Sequence, residues 1–145
     1  MQEAFQVVAE PGVMPDDERT KTILLVEDEP IVRNLLREVL ERSGYAVLAC
    51  EHPAEGIETC QRHSGQIDLL LTDVVMPGMN GKEMANRIAE MLPELRVVFM
   101  SGYTEQALLK DGLLDSRIEY LQKPFSLHTL RQRLARVMGT GNRVQ

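Results

Sequence analysis

Five residues whose side chains could do chemistry stand at or just after the ends of short apolar runs. They comprise three acids, a hydroxyl and an ammonium: Glu27, Asp28, Asp73, Ser101 and Lys123. Carboxylates bind hard cations such as Mg²⁺, which needs only one or two of them. A cation and a lysine together can neutralise charge on a phosphoryl group while a positioned carboxylate attacks it. If these residues converge, the set suits phosphorylation of an aspartate.

Convergence depends on how the apolar runs are arranged. Five runs recur, TILLVE, AVLAC, DLLLTD, RVVFMS and EYLQK, at residues 22–27, 46–50, 68–73, 96–101 and 119–123. The first four are rich in Val, Ile and Leu with little alternation, which is typical of strands buried on both faces of a parallel sheet. In open α/β sheets ligands bind at the carboxyl ends of the strands. We therefore expect the five polar residues to meet at that edge.

The segments between the runs carry the signals of helices. Apolar residues recur at helical spacing over 31–40, 84–92 and 127–137, and a fourth segment, 53–63, begins at a proline. A shorter, weakly patterned helix is expected around 104–110. The order is thus strand then helix, five times. With right-handed crossovers this order predicts an α/β fold with an open, doubly wound parallel sheet.

The composition is that of one folded domain. Of the 145 residues, 43% are hydrophobic and 26% charged, and this length suits one core better than two. We expect the domain to span residues 21–138. Residues 1–20, with the breakers PG and MPDDE, are predicted to be a linker or flexible N-terminal arm, in which FQVV has no obvious strand partner. Residues 139–145 are predicted to be a C-terminal tail.

Several functional classes lack support in the sequence. No apolar run approaches the roughly 20 residues that span a bilayer, and the N-terminus lacks a signal-peptide layout, so we expect a cytoplasmic protein without membrane contact. The GxxxxGK[ST] and GxGxxG motifs of nucleotide-binding enzymes are absent. With no Trp and 4% aromatic residues, nucleic-acid binding is not expected. Cys50 and Cys60 have no metal-site spacing and are expected to be free thiols.

Four motifs, in order, resemble the receiver domain of two-component response regulators. They are LLVEDEP, LLLTDVVMPGMNG, FMSGYT and YLQKPF, and the resemblance covers residues 21–138. Taken singly, each motif is also compatible with ordinary helix capping or turn formation. The resemblance implies a flavodoxin-like (βα)5 fold with strand order 2-1-3-4-5.

The resemblance assigns a phosphoacceptor and a metal site. It implies that Asp73 accepts the phosphoryl group, and that Asp28 and Asp73 hold Mg²⁺ together with the backbone carbonyl of Val75. Glu27, where many relatives have Asp, would act on the metal mostly through water.

The same resemblance implies which residues bind the phosphoryl group, which act as the conformational switch and which tune hydrolysis of the acyl phosphate. Lys123 and Ser101 would each bind a phosphoryl oxygen, and Ser101 and Tyr120 would change position together as the switch. The peptide bond between Lys123 and the following proline is usually cis in similar domains. Val75 and Tyr103 lie where side chains tune hydrolysis, and because neither carries a carboxylate or amide, we expect slow self-hydrolysis.

The implied partner is a sensor histidine kinase whose phosphohistidine donates the group, and further transfer to a histidine phosphotransfer domain would follow if the chain comes from a hybrid kinase. A stand-alone regulator remains open, as a monomer or weak dimer. No kinase catalytic domain is expected in this chain, only self-phosphorylation and self-dephosphorylation. The alternatives are an Mg²⁺-dependent aspartate phosphatase, whose second Asp would fall at Val75, and a degenerate receiver that only binds.

Overall fold

Strands and helices alternate along the chain. The computed structural model describes residues 20–114 and 118–139. Its elements, in order, are β1 (Thr22–Val26), α1 (Pro30–Arg42), β2 (Ala46–Cys50), α2 (Pro53–Arg62), β3 (Leu69–Asp73), α3 (Gly81–Met91), β4 (Arg96–Ser101), α4 (Glu105–Lys110), β5 (Glu119–Gln122) and α5 (Leu127–Met138). The predicted five-fold repeat of strand and helix is confirmed. Most of the arm predicted for residues 1–20 and of the tail predicted for 139–145 lies outside the described residues.

The five strands form one parallel sheet. Their spatial order is β2-β1-β3-β4-β5, and each neighbouring pair is parallel. This is the doubly wound, flavodoxin-like arrangement that the sequence predicted. Because β1 and β3 are neighbours at the centre, the residues that follow β1 are brought beside the end of β3.

Both faces of the sheet are covered by helices, which explains the continuous apolar runs. In β1, Ile23 and Leu25 pack with helices α1 and α5, whereas Leu24 and Val26 pack on the other face with α2, α3 and α4. All four side chains are fully buried. Burial of one such side chain stabilises the fold by about 1.5–3 kcal/mol. The central strands therefore hold the site on a rigid support.

Helix starts are defined by the residue types that favour them. The Asn80 side chain accepts a hydrogen bond from the backbone N–H of Glu83, and the Glu83 side chain accepts one from the Asn80 N–H. At α4 and α5 the cap is a single bond, in which the hydroxyls of Thr104 and Ser126 accept from the backbone N–H three residues later. These caps satisfy backbone donors that a helix leaves unpaired at its first turn. None of the described helices has the length and apolar character that a bilayer crossing requires.

The two cysteines are free and buried, as predicted. Cys50 ends β2, and its sulfur lies 3.3 Å from the Thr59 hydroxyl. Burial, followed by the neighbouring Cys50, raises the pKa of the Cys60 thiol to about 11. Burial also raises the pKa of the Cys50 thiol. Since the thiolate is the reactive form of cysteine, both residues act as packing groups in the folded protein.

Candidate functional site

Residues from three strand ends meet at the carboxyl edge of the sheet. Glu27 directly follows β1, Asp73 is the last residue of β3, and Lys123 directly follows β5. The Lys123 Nζ lies 2.9 Å from Asp73 Oδ1 and 3.2 Å from Glu27 Oε1. The structure thus joins residues that are 96 positions apart in the chain.

Three carboxylates cluster at this edge. Glu27, Asp28 and Asp73 each offer an oxygen, and these oxygens lie within 4.8 Å of one another. Glu27 is fully buried and Asp73 is 6% exposed, while Asp28 is half-buried. Carboxylate oxygens are the ligands that Mg²⁺ prefers, and the ion keeps several waters, so partial exposure suits it. The donor set therefore fits a hard divalent cation.

The charged groups of the cluster shift one another's pKa values. The pKa of Asp73 is raised to about 7, chiefly by burial and then by the neighbouring Glu27, while Lys123 opposes the rise. For Lys123, burial lowers the pKa, but the hydrogen bonds and charges of Asp73 and Glu27 outweigh it and raise the pKa overall. One ammonium among three carboxylates leaves excess negative charge. A bound cation would offset it.

Helix α1 begins without the side-chain hydrogen bond that usually caps a helix. Glu29 occupies the N-cap position of α1, but its side chain makes no capping hydrogen bond, and Pro30 opens the helix. Instead, the Glu29 N–H donates to Glu27 Oε2 at 3.2 Å. At this turn the Glu27 and Asp28 carboxylates therefore belong to the acidic cluster, while Glu29 contributes only its backbone N–H.

Two residues that sequence reasoning did not place in the site support it. Arg33 Nη1 donates to the backbone carbonyl of Glu27 at 2.8 Å, and nothing in its sequence spacing marked this contact. The Gly81 N–H donates to the Val74 carbonyl at 2.7 Å. A Cβ on Gly81 would lie only 2.2 Å from the Asp73 carbonyl oxygen. The signal for Gly81 was its place at the end of the DVVMPGMNG segment.

Ser101, Tyr103 and Tyr120 are linked through main-chain atoms. The Ser101 hydroxyl accepts a hydrogen bond from the Tyr103 N–H at 3.0 Å. The Ser101 carbonyl accepts from the Lys123 N–H at 2.7 Å. The Tyr120 hydroxyl donates to the carbonyls of Ser101 and Tyr103. The expected switch residues are therefore in contact, and Ser101 is tied to the residue that carries the site ammonium.

The two residues expected to tune hydrolysis are exposed at the edge of the sheet that carries the site. Val75 and Tyr103 are 55% and 57% exposed, and each stands two positions beyond a residue of the site. The bond between Lys123 and Pro124 is cis, as the resemblance implied. The structure thus presents all eight expected side chains at or beside one edge of the sheet.

Comparison with known proteins agrees with this geometry. The family model of the response regulator receiver domain matches residues 23–135. The sensor kinase CckA of Brucella abortus is 36% identical over 109 residues, which is 75% of this chain but 12% of CckA. The response regulator receiver protein CpdR of the same organism is 39% identical over 110 residues, 76% of this chain and 90% of CpdR.

A solved structure gives the same result. The crystal structure of the receiver domain of the hybrid histidine kinase CckA superposes with a TM-score of 0.70 at 32% identity, covering 81% of this chain and 98% of that one. The chain therefore belongs to the response regulator receiver domain family. It is a receiver domain of two-component signalling, and the predicted family is confirmed.

Proposed function

We propose that Asp73 is the phosphoacceptor of this receiver. The observation that carries the proposal is the position of its carboxylate, which lies 2.9 Å from the Lys123 ammonium and within an acidic cluster at the carboxyl edge of the sheet. An Asp73 oxygen attacks the phosphorus of a phosphohistidine, the phosphorus–nitrogen bond breaks, and the histidine leaves as the imidazole. The product on this chain is an acyl phosphate.

The ion proposed for the acidic cluster is Mg²⁺. Asp28 and Asp73 would hold it directly with the backbone carbonyl of Val75, and Glu27 would act through water. When bound, the ion supplies positive charge that offsets the negative charge of the phosphoryl group. The cluster of oxygen donors supports this choice, because oxygen is the ligand type of hard cations.

Phosphoryl oxygens are proposed to bind two further groups of the chain. Lys123 carries its ammonium beside Asp73, and Ser101 lies buried at the end of the neighbouring strand β4. If the phosphoryl oxygens bind the Ser101 hydroxyl more strongly in one loop arrangement, they shift the equilibrium toward it. Tyr120 would report that shift, since its hydroxyl binds the carbonyls of Ser101 and Tyr103.

The proposed donor is a sensor histidine kinase in the cytoplasm, the compartment expected from the sequence. The chain is about equally identical to CckA, a sensor kinase of which it covers 12%, and to CpdR, a receiver protein of which it covers 90%. These similarities support either a receiver within a larger kinase or a stand-alone regulator. In the first setting the phosphoryl group would pass on to a histidine phosphotransfer domain. In the second it would change the affinity for a protein partner.

Intact mass after incubation with acetyl phosphate tests the central claim. We expect the gain of one phosphoryl group in the presence of Mg²⁺, little or none with EDTA, and none in Asp73→Asn. A wild-type protein that stays unmodified while folded would mean a degenerate receiver that acts only as a binding module. Phosphorylation that persists in Asp73→Asn would refute the assignment of Asp73.

The identities of Val75 and Tyr103 lead us to propose that the acyl phosphate on Asp73 hydrolyses slowly. Both side chains are exposed beside the site, and neither carries a carboxylate or amide to orient a water toward the phosphorus. Val75→Asn introduces such a group, so we expect it to shorten the half-life of the acyl phosphate several-fold, while Val75→Ile leaves it near the wild-type value. The decay of the phosphorylated mass with time measures both.

A further inference from the structure

The turn from β1 into α1, residues 27–29, carries the Asp28 carboxylate of the acidic cluster. Such a turn is commonly fastened by an N-cap side chain that accepts from the first backbone N–H groups of the helix. The Glu29 side chain makes no such bond, and Pro30 follows it as the first residue of α1, without a backbone N–H to donate. Other contacts must therefore hold Asp28 in place.

Arg33 binds the backbone on both sides of Asp28. Its Nη1 donates to the Glu27 carbonyl at 2.8 Å, and its own backbone N–H donates to the Glu29 carbonyl at 2.8 Å. A guanidinium donates from a rigid planar group, so it fixes the direction of an acceptor as well as its distance. One residue of α1 thus holds the residue before Asp28 and the residue after it.

The bond from the guanidinium orients the peptide group that leads into Asp28. The Glu27 carbonyl and the Asp28 N–H belong to the same planar peptide group, so holding the oxygen also restrains the start of Asp28. On the other side, the Glu27 N–H donates to the Cys50 carbonyl at the end of β2, at 3.1 Å. Arg33 is half-buried, and a hydrogen bond that is partly shielded from water is stronger than an exposed one.

We propose that Arg33 is a positioning residue for Asp28, and that it keeps the turn in its cation-binding arrangement before any ion is bound. The proposal rests on the proposed function, in which Asp28 and Asp73 hold Mg²⁺. The oxygens of the acidic cluster lie within 4.8 Å of one another, and repulsion between carboxylates opposes so short a spacing. A turn that is already held in place reduces the ordering that ion binding would otherwise require.

The sign of the effect on Mg²⁺ binding separates positioning from charge. Arg33 carries a positive charge beside the acidic cluster, and this charge repels a cation. Loss of the charge alone would therefore strengthen Mg²⁺ binding, whereas loss of the held turn would weaken it. Arg33→Met keeps the apolar stem and removes the guanidinium, so the two roles predict opposite results for this variant.

The Mg²⁺ Kd of the unphosphorylated protein, from amide shift titration, is the test. We expect the Kd to rise roughly tenfold in Arg33→Met, as for other residues that orient metal ligands. Arg37→Met removes the same charge from an exposed position one turn further along α1, and its Kd should stay near the wild-type value. An unchanged or lower Kd in Arg33→Met, or an equal rise in Arg37→Met, would overturn the proposal. Arg33→Gln gives the same test if the methionine variant does not fold.

Amide exchange without metal measures the turn itself. The Glu29 N–H donates to Glu27 Oε2 at 3.2 Å, so its exchange with solvent reports how often the turn opens. We expect faster exchange of this N–H in Arg33→Met than in wild type or Arg37→Met. Equal exchange in the three proteins would mean that Arg33 does not hold the turn.

The rate of phosphorylation by acetyl phosphate distinguishes this proposal from the proposed function. In Arg33→Met the rate should fall at low Mg²⁺ and return to near the wild-type value at saturating Mg²⁺, because Arg33 acts on the ion site alone. A rate that stays low at saturation would overturn the positioning role. A wild type that binds Mg²⁺ but gains no phosphoryl group would refute the proposed function and leave the Kd comparison standing. A wild type that binds no Mg²⁺ would overturn both.

Discussion

The Tyr120 hydroxyl donates a hydrogen bond to the carbonyl of Ser101 across a distance of 3.0 Å, joining β5 to the end of β4. Its second acceptor is the carbonyl of Tyr103 in the loop that follows β4. Burial raises the pKa of Tyr120, so the hydroxyl stays protonated and able to donate at neutral pH. The Tyr120 ring is therefore hydrogen-bonded to the loop that we propose responds to phosphorylation of Asp73.

Removal of this hydroxyl should weaken the response of the loop while leaving the chemistry intact. Tyr120→Phe keeps the ring and loses the donor, at a cost of about 0.5–1.5 kcal/mol in the free energy of unfolding. We expect phosphorylation of Asp73 at a rate close to wild type, but smaller changes in the amide shifts of Ser101 and Tyr103 after phosphorylation. Shift changes of wild-type size in the variant would show that the hydroxyl plays no part.

The approach of helix α3 to Asp73 requires glycine at position 81. A methyl group there would lie 2.2 Å from the Asp73 carbonyl oxygen and 3.1 Å from the Val74 Cα, and both are backbone atoms that cannot rotate away. We expect Gly81→Ala to lower the free energy of unfolding by about 3 kcal/mol or more and to slow phosphorylation, as urea unfolding and intact mass would show.

Gly102→Ala is the matched control for this substitution. A Cβ at Gly102 meets nothing within 4 Å, although the residue also adjoins the site. Its midpoint of urea unfolding should therefore stay near the wild-type value. Equal losses of stability in the two variants would mean that the close approach at Gly81 is not the cause.

Mg²⁺ should stabilise the folded protein through the acidic cluster. An ion that binds only the folded state adds about 2.7 kcal/mol at one hundred times its Kd, so the Tm should rise with Mg²⁺ and return to its starting value with EDTA. Asp28→Asn should lose most of that rise, whereas Glu38→Gln, on the exposed surface of α1, should keep it. A full rise in Asp28→Asn would contradict a metal site built on Asp28.

High pH should destabilise the protein through Cys60. Its folded-state pKa is about 11, against about 8.5 for an exposed thiol, so below pH 8.5 both states are protonated. As the pH rises from 8.5 to 11, the thiol ionises in the unfolded state only, which favours unfolding. Over this window wild type should lose roughly 2–3 kcal/mol more stability than Cys60→Ala in urea unfolding. Parallel losses in the two proteins would exclude this contribution.

The architecture, and the strand ends at which the expected site residues lie, can be predicted from the sequence alone. A strand buried on both faces needs a continuous apolar run, as in LLV of β1 and LLL of β3, and such runs are visible without any structure. Parallel strands end at a common edge, so the polar residues that follow them are drawn together. This is why Asp73 and Lys123 could be named from the order of the motifs.

Which of these residues are in contact depends on the packing of the whole domain. Strand β5 is two strands away from β3 and three away from β1, at about 4.8 Å per strand, yet the Lys123 ammonium contacts both Asp73 and Glu27. The return of Arg33 to the Glu27 carbonyl and the closeness of Gly81 to Asp73 likewise depend on how helices settle on the sheet. Residue types and spacing place each group at an edge, but distances between groups on different strands arise from packing, which no local pattern encodes.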